Sequence, residues 1–290
     1  ATAFSSLYFA LLLALLMLIL RPPGFDYRGK IDSELWVNTW DRCLFGGGVG
    51  LALIFGVAIG NLFLGLPFDF DHDFRSMYLG TFFDLLSPTA LLFGLVALTM
   101  FATQGALFLQ YKLEKNLEKR ARNAVTIFGT LFILLFILAG IVMYLWIPGY
   151  EIMQIPDLNS SFAITHKTVA TTSDGWLANY NRYQILWLLP CLCIIGTKIA
   201  IICSRYNKPA LGLFFNSLSI ICAIFTAAVA LFPFIIPSSL NPNHSLTVWD
   251  ASASHTTLEY TLLVVILLLP IVLAYTTWVY RVMRGKVKLD

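Results

Sequence analysis

The chain alternates long apolar blocks with shorter polar connectors, and the lengths of the blocks carry the first structural information. Seven stretches, roughly 1–20, 42–64, 84–112, 121–146, 184–204, 212–235 and 257–281, run for a helix length with few charges. A bilayer core about 30 Å thick is crossed by about 20 residues of α-helix. In lipid the backbone finds no water to bond, so such blocks are helices rather than open strands. The runs are as uniform as Leu7 to Leu20, which suits only a helix. The pattern predicts an all-α, polytopic membrane bundle of seven helices, one integral domain over residues 1–290.

Local punctuation agrees with these limits. Arg21-Pro22-Pro23-Gly24 is expected to stop the first helix, because proline lacks an N–H and disfavours helix in the residue before it. Ser87-Pro88 supplies an N-cap and a first-turn proline near the start of the third. Pro190 and Pro270 fall inside the fifth and seventh blocks and are expected to kink them. Gly46-x-x-x-Gly50 and Gly56-x-x-x-Gly60 give the second helix a small-residue face for close packing. The longest connector, about 147–183, is rich in Trp, Tyr and Asn.

The distribution of basic residues orients the bundle. Sixteen of the nineteen Lys and Arg residues fall around the odd-numbered connectors and the C-terminal tail, leaving only Arg75, Lys167 and Arg182 on the other side. By the positive-inside rule the C-terminus is cytoplasmic and residue 1 lies outside. Composition adds the solvent: 58% of residues are hydrophobic and 12% charged, about half the charged share of a soluble domain. A soluble enzyme and a disordered chain are thereby excluded. The first block has no initiator Met and no basic leader, so it does not resemble a signal peptide. The five cysteines lie in apolar blocks with no framework spacing, which argues against disulfides.

Candidate chemistry is sparse. His72, His166, His244 and His255 all lie in or beside outward connectors, so none is placed to ligate a buried haem. Cys191 and Cys193 are two apart and point to different faces of a helix. Asp69, Asp71, His72 and Asp73 form the densest group of potential ligands, better read as a solvated acidic loop than a metal site. Ionisable and amide groups at membrane depth are functional candidates by default. Arg21 ends the first helix, where interfacial snorkelling competes with a functional role. Asp41 begins the second, where capping the helix dipole competes with proton handling. Asp84 starts the third, and Gln104 sits deep within it, able to bond a neighbouring helix or a partner. Asn216, Ser217, Ser219 and Thr226 offer the sixth helix interhelical bonds. No phosphate-binding loop, zinc-hydrolase motif or nucleophile elbow is present, and the seventh helix lacks a lysine for a retinal Schiff base.

The connectors then carry a resemblance. Arg21-Pro22-Pro23-Gly24-Phe25-Asp26-Tyr27-Arg28 runs on through Lys30 to Trp40-Asp41. Gly60-Asn61-Leu62, Gly65-Leu66-Pro67-Phe68 and Thr103-Gln104-Gly105-Ala106 follow. Phe232-Pro233-Phe234, Pro237-Ser238-Ser239 and Leu246-Thr247-Val248-Trp249-Asp250-Ala251-Ser252 close the set. In order and spacing these closely resemble subunit II of the cytochrome bd quinol (ubiquinol) oxidases, from about Phe4 to Arg281.

The resemblance implies half of an electrogenic terminal oxidase in the bacterial cytoplasmic (inner) membrane. Quinol is oxidised on the outer face, and oxygen is reduced to water with protons from the cytoplasm. It implies that haem b and haem d are liganded by a partner, the haem-bearing subunit I. Subunit II supports that assembly, with a bound structural quinone and small accessory subunits as further associations. Residue by residue it carries over Arg21, near the family's polar cluster and quinone, and Asp41. Gln104, Asp84, Trp249 and Asp250 stand as packing or polar-network candidates. Members of the family have nine helices, two four-helix bundles plus one, of which two precede this segment. A separate N-terminal fragment is therefore a further expected partner, besides membrane lipid and quinol; no nucleic acid is expected. A stand-alone secondary transporter and a purely structural membrane subunit are the competing readings.

Overall fold

The protein is described by a computed structural model covering residues 2–73, 75–154, 167–172, 175–283 and 285. Seven helices among the described residues are long and apolar enough to cross a membrane. The first is the span Tyr8–Tyr27, of which α1 (Tyr8–Ile19) is the longer piece; the others are α2 (Glu34–Leu64), α3 (Pro88–Lys112), α4 (Lys115–Trp146), α5 (Leu188–Arg205), α6 (Pro209–Leu231) and α7 (His255–Val282). Connectors at 28–33, 113–114 and 206–208 are too short for anything but antiparallel neighbours, so the chain runs up and down. These turns collect the basic residues and define a basic end of the bundle. His166, Arg284, Lys286 and Lys288 lie outside the described residues.

Several limits differ from the sequence expectation. Pro22 and Pro23 do not end the first span: Leu20 breaks the helix, and the prolines open a second helical piece, Arg21–Tyr27, from its first turn. Proline is tolerated there because the first-turn N–H groups have no intrahelical acceptor. For the same reason Pro190, in the first turn of α5, needs no kink, while Pro270 is internal to α7. The second helix starts at Glu34, earlier than expected, and the sixth ends at Leu231, before Pro233. The third starts at Pro88, with the Ser87 hydroxyl accepting from the Ala90 N–H at 3.2 Å.

Close packing is backbone-limited where α2 meets α3. A Cβ on Gly56 would fall 2.4 Å from the Phe93 carbonyl oxygen, and one on Gly60 would fall 2.8 Å from the Ala90 Cα. Only glycine permits that approach. On the face toward α1 the expected residue is displaced by one. Gly46 looks into open space, whereas Gly47 meets the Met17 carbonyl.

The opposite end of the bundle carries three two-stranded antiparallel hairpins that the apolar pattern did not announce. They pair β1 (Phe68–Phe70) with β2 (Ser76–Tyr78), β3 (Gly149–Gln154) with β4 (Thr168–Thr172), and β5 (Phe234–Ile236) with β6 (Leu246–Thr247). All but β3 and β4 are only two or three residues long, too short to show a strand periodicity. They are knitted together by Leu66 N–H to Pro237 O (2.9 Å), Ser239 N–H to Leu66 O (3.0 Å) and Val169 N–H to Asn243 Oδ1 (2.8 Å). Beneath them Phe63, Tyr150, Trp176 and Phe234 form an aromatic core.

Candidate functional site

At the basic end, Arg21 and Asp41 are not brought together. Arg21 is exposed and lies along the glycine run of α2, with its Nη2 3.3 Å from where a Cβ on Gly48 would sit. Among the described residues it makes no hydrogen bond or ion pair. Asp41 lies six residues before Gly47, about 9 Å along the helix axis. It is not at the helix start, so it does not cap α2. Its partner is Arg28, through a two-point contact of 2.5 Å (Nε to Oδ1) and 3.2 Å (Nη2 to Oδ2). Tyr27 stacks on Trp40 at 5.8 Å, and Trp36 Nε1 donates to the Tyr27 carbonyl at 2.7 Å. The Arg28 partnership was missed in the sequence: counting outward from a turn near residues 31–33 sets 27–28 opposite 36–37, about one helical turn short of Asp41, and the long Arg28 side chain spans the difference.

Inside the bundle, polar side chains satisfy one another. Gln104 on α3 accepts from Asn216 Nδ2 (2.7 Å) and donates from Nε2 to Ser217 Oγ (2.9 Å), bracing α3 against α6. Thr197 and Ser219 hydroxyls meet at 2.7 Å, and Ser219 also donates to the Cys193 carbonyl. Gln110 is fully buried and exchanges two hydrogen bonds with Ser204, bracing α3 against α5. That pair escaped the sequence reading because Gln110 stands near a helix end, where it looks interfacial. Thr226 bonds back to the Cys222 carbonyl in its own helix.

At the hairpin end, Asp84 lies in a 3₁₀ turn (Phe83–Leu86) rather than at the start of α3. Its carboxylate accepts from the Thr81 N–H at 2.6 Å, and that backbone bond holds its pKa below the usual carboxylate range. Asp69, from the acidic loop, pairs with His244 instead of gathering ligands. The His244 hydrogen bond holds Asp69 low. Trp249 is partly exposed, edge-on to Phe232 at 6.4 Å. Asp250 is buried, with both its side chain and that of its ion-pair partner Lys167 only 1% exposed. Its Oδ2 also accepts from Thr247 Oγ1 at 2.6 Å. Burial pushes the Lys167 pKa down, with the Asp250 contact opposing it. Lys167 was counted in the sequence only as an outward charge, because nothing local marks a lysine as buried.

An elongated apolar cavity of about 740 Å³ opens among α3, α4 and α6, reaching Gly56 and Phe63 of α2. Met100 and Met143 line it, but no histidine among the described residues does. Among the described residues no group of three or more His, Cys, Asp or Glu side chains converges.

Against this geometry, comparison with known proteins is decisive. The family profile for cytochrome bd terminal oxidase subunit II matches residues 1–283. The chain belongs to the cytochrome bd oxidase subunit II family. It is 41% identical over 286 residues to the probable cytochrome oxidase subunit 2 of Haemophilus influenzae, covering 99% of this chain and 75% of that protein. It is 40% identical over 287 residues to the cytochrome bd-I ubiquinol oxidase subunit 2 of Escherichia coli, covering 99% and 76%. The bd oxidase of Geobacillus thermodenitrificans shares the fold, with a TM-score of 0.59 at 11% identity over 97% of this chain and 77% of that one. In this subunit II chain, therefore, the self-satisfied bonds of Gln104, Gln110 and Thr197 belong to an integral membrane subunit of an oxidoreductase complex.

Proposed function

We propose that this chain is the non-haem-ligating subunit of a cytochrome bd-type quinol oxidase, paired with a haem-bearing subunit I in a bacterial cytoplasmic membrane. The observation that carries this reading is the chain-long match to subunit II sequences. The geometry is in keeping with a supporting subunit: polar groups inside the bundle bond one another and brace its helices. Haem b and haem d, held by subunit I, supply the redox chemistry. The complex oxidises quinol and reduces oxygen to water with protons from the cytoplasm.

In this reading the basic end is cytoplasmic, as the positive-inside rule requires. Arg21 and Asp41 then stand on the face from which protons are drawn. Arg21, with its guanidinium donors unpaired among the described residues, is the group a structural quinone's carbonyl oxygen would meet. Asp41 and Arg28 lock the α1–α2 turn. Gln104 braces the bundle, Asp84 caps a turn, and Trp249 and Asp250 set the approach to α7.

Purification of the chain with its membrane partners, a haem spectrum and quinol-dependent oxygen uptake test the reading. A haem spectrum and turnover are expected; a haem-free chain active in solute transport would overturn it. Within the complex, Arg21→Ala is expected to lower quinone content or turnover, and Asp41→Ala to lower turnover or haem content. Survival of all three in both variants would reduce the two residues to helix-end packing.

A further inference from the structure

The large cavity has one end in the middle of the bundle, at Met100 and Phe136, and the other at the hairpin end, at Tyr144, Asn181 and Trp187. Its polar groups away from the hairpin end are engaged. The Tyr180 hydroxyl donates to the Thr226 carbonyl at 2.8 Å, and the Thr226 hydroxyl donates within its own helix. The exceptions lie together at the hairpin end: Asn181, the Tyr144 hydroxyl and the Trp187 indole N–H are exposed and make no side-chain hydrogen bond among the described residues. An occupant must therefore be hydrocarbon along its length and polar only at the mouth.

Charge at that mouth selects the headgroup. Only three basic residues lie on this side of the chain. Lys167 is buried against Asp250, whereas Arg182 directly follows Asn181 and is exposed, its guanidinium 5.6 Å from the Tyr183 ring. Trp187 and Tyr144 flank the opening as interfacial aromatics do. The volume lies within the roughly 300–1,000 Å³ of ligand sites.

We propose that the cavity holds an acyl chain of one anionic phospholipid, whose phosphate is received at Asn181 and Arg182. Gly140 supplies the means to test it. It lines the cavity, and a Cβ added there meets nothing within 4 Å, so Gly140→Phe fills the space without displacing backbone.

The assembled complex, isolated from membranes and washed with detergent, is analysed for retained lipid and quinone by mass spectrometry. Wild type is expected to keep one phospholipid, enriched in phosphatidylglycerol, that Gly140→Phe loses. Arg182→Gln is expected to keep a phospholipid with its anionic preference reduced about fivefold. A second measurement needs no cavity variant: quenching of Trp187 by phosphatidylglycerol with brominated chains, taken as the difference from Trp187→Phe. That quenching is expected to persist on dilution into unbrominated phosphatidylcholine. Equal phospholipid in wild type and Gly140→Phe, loss of a quinone instead, unchanged selectivity in Arg182→Gln, or quenching lost at the bulk rate would each overturn the proposal.

Discussion

Helices α3 and α7 are both apolar and both span-length, yet they are held by different means. In the most apolar stretch of α3, 39% of residues are buried, and Gln104 and Gln110 tie it to α6 and α5. In α7 no residue is buried, and among the described residues its body is joined to the rest mainly at its two ends. One end follows the turn held by Asp250; at the other, Lys112 Nζ donates to the Met283 and Gly285 carbonyls at 2.6 and 3.2 Å. The contrast separates two ways for an apolar helix to be stable. One packs on its own chain through small residues and amides, while the other rests on whatever surrounds it.

The largest expected effect lies where α7 is anchored. Asp250→Ala leaves Lys167 buried without its counter-charge and should cost about 3–5 kcal/mol, read as a loss of thermal stability in detergent. If stability is unchanged, α7 is not anchored by this pair. Next is the brace in the packed region. Gln104→Leu removes two interhelical bonds and should cost about 1–2 kcal/mol, measured by the same unfolding.

A smaller effect is expected in acid at the hairpin end. Because Asp69 is held below its ordinary value, its pairing with His244 contributes fully above the unfolded carboxyl pKa and is lost as pH falls through the lower folded value. Hydrogen exchange at the Phe70 amide, which donates to Asp69 at 2.9 Å, should therefore keep its protection until below about pH 4. Loss of protection near neutrality would show that the carboxylate is not held. Smallest of all, Leu267→Ala on α7 should shift the stability of the isolated chain by less than about 0.5 kcal/mol. A large loss there would mean that α7 packs on its own chain after all.

The seven spans were legible because hydrocarbon thickness sets helix length and basic residues mark one end. Glycine spacing likewise pointed to the close α2–α3 approach at Gly56 and Gly60. Boundaries at prolines were misread at Pro22 and Pro190, since a proline ends one helix or begins another and local sequence does not say which. The polar site was harder. Arg28 and Asp41 are paired by the geometry of a turn, and Lys167 with Asp250 across 83 residues of chain. Neither contact has a local pattern. Four of the six hairpin strands escaped because they are only two or three residues long, below the four or more over which alternation shows; β3 and β4 lie in the long polar connector, where no alternation of apolar and polar residues stands out.

A helix joined to its own chain mainly at its two ends also has freedom in time. Because synthesis makes α2 to α6 before α7, they can close their contacts while α7 is still inside the ribosome. Its arrival changes none of their packing. Helix α7 can therefore enter the membrane on its own apolarity and meet its neighbours afterwards, as an addition to contacts already closed among α2 to α6.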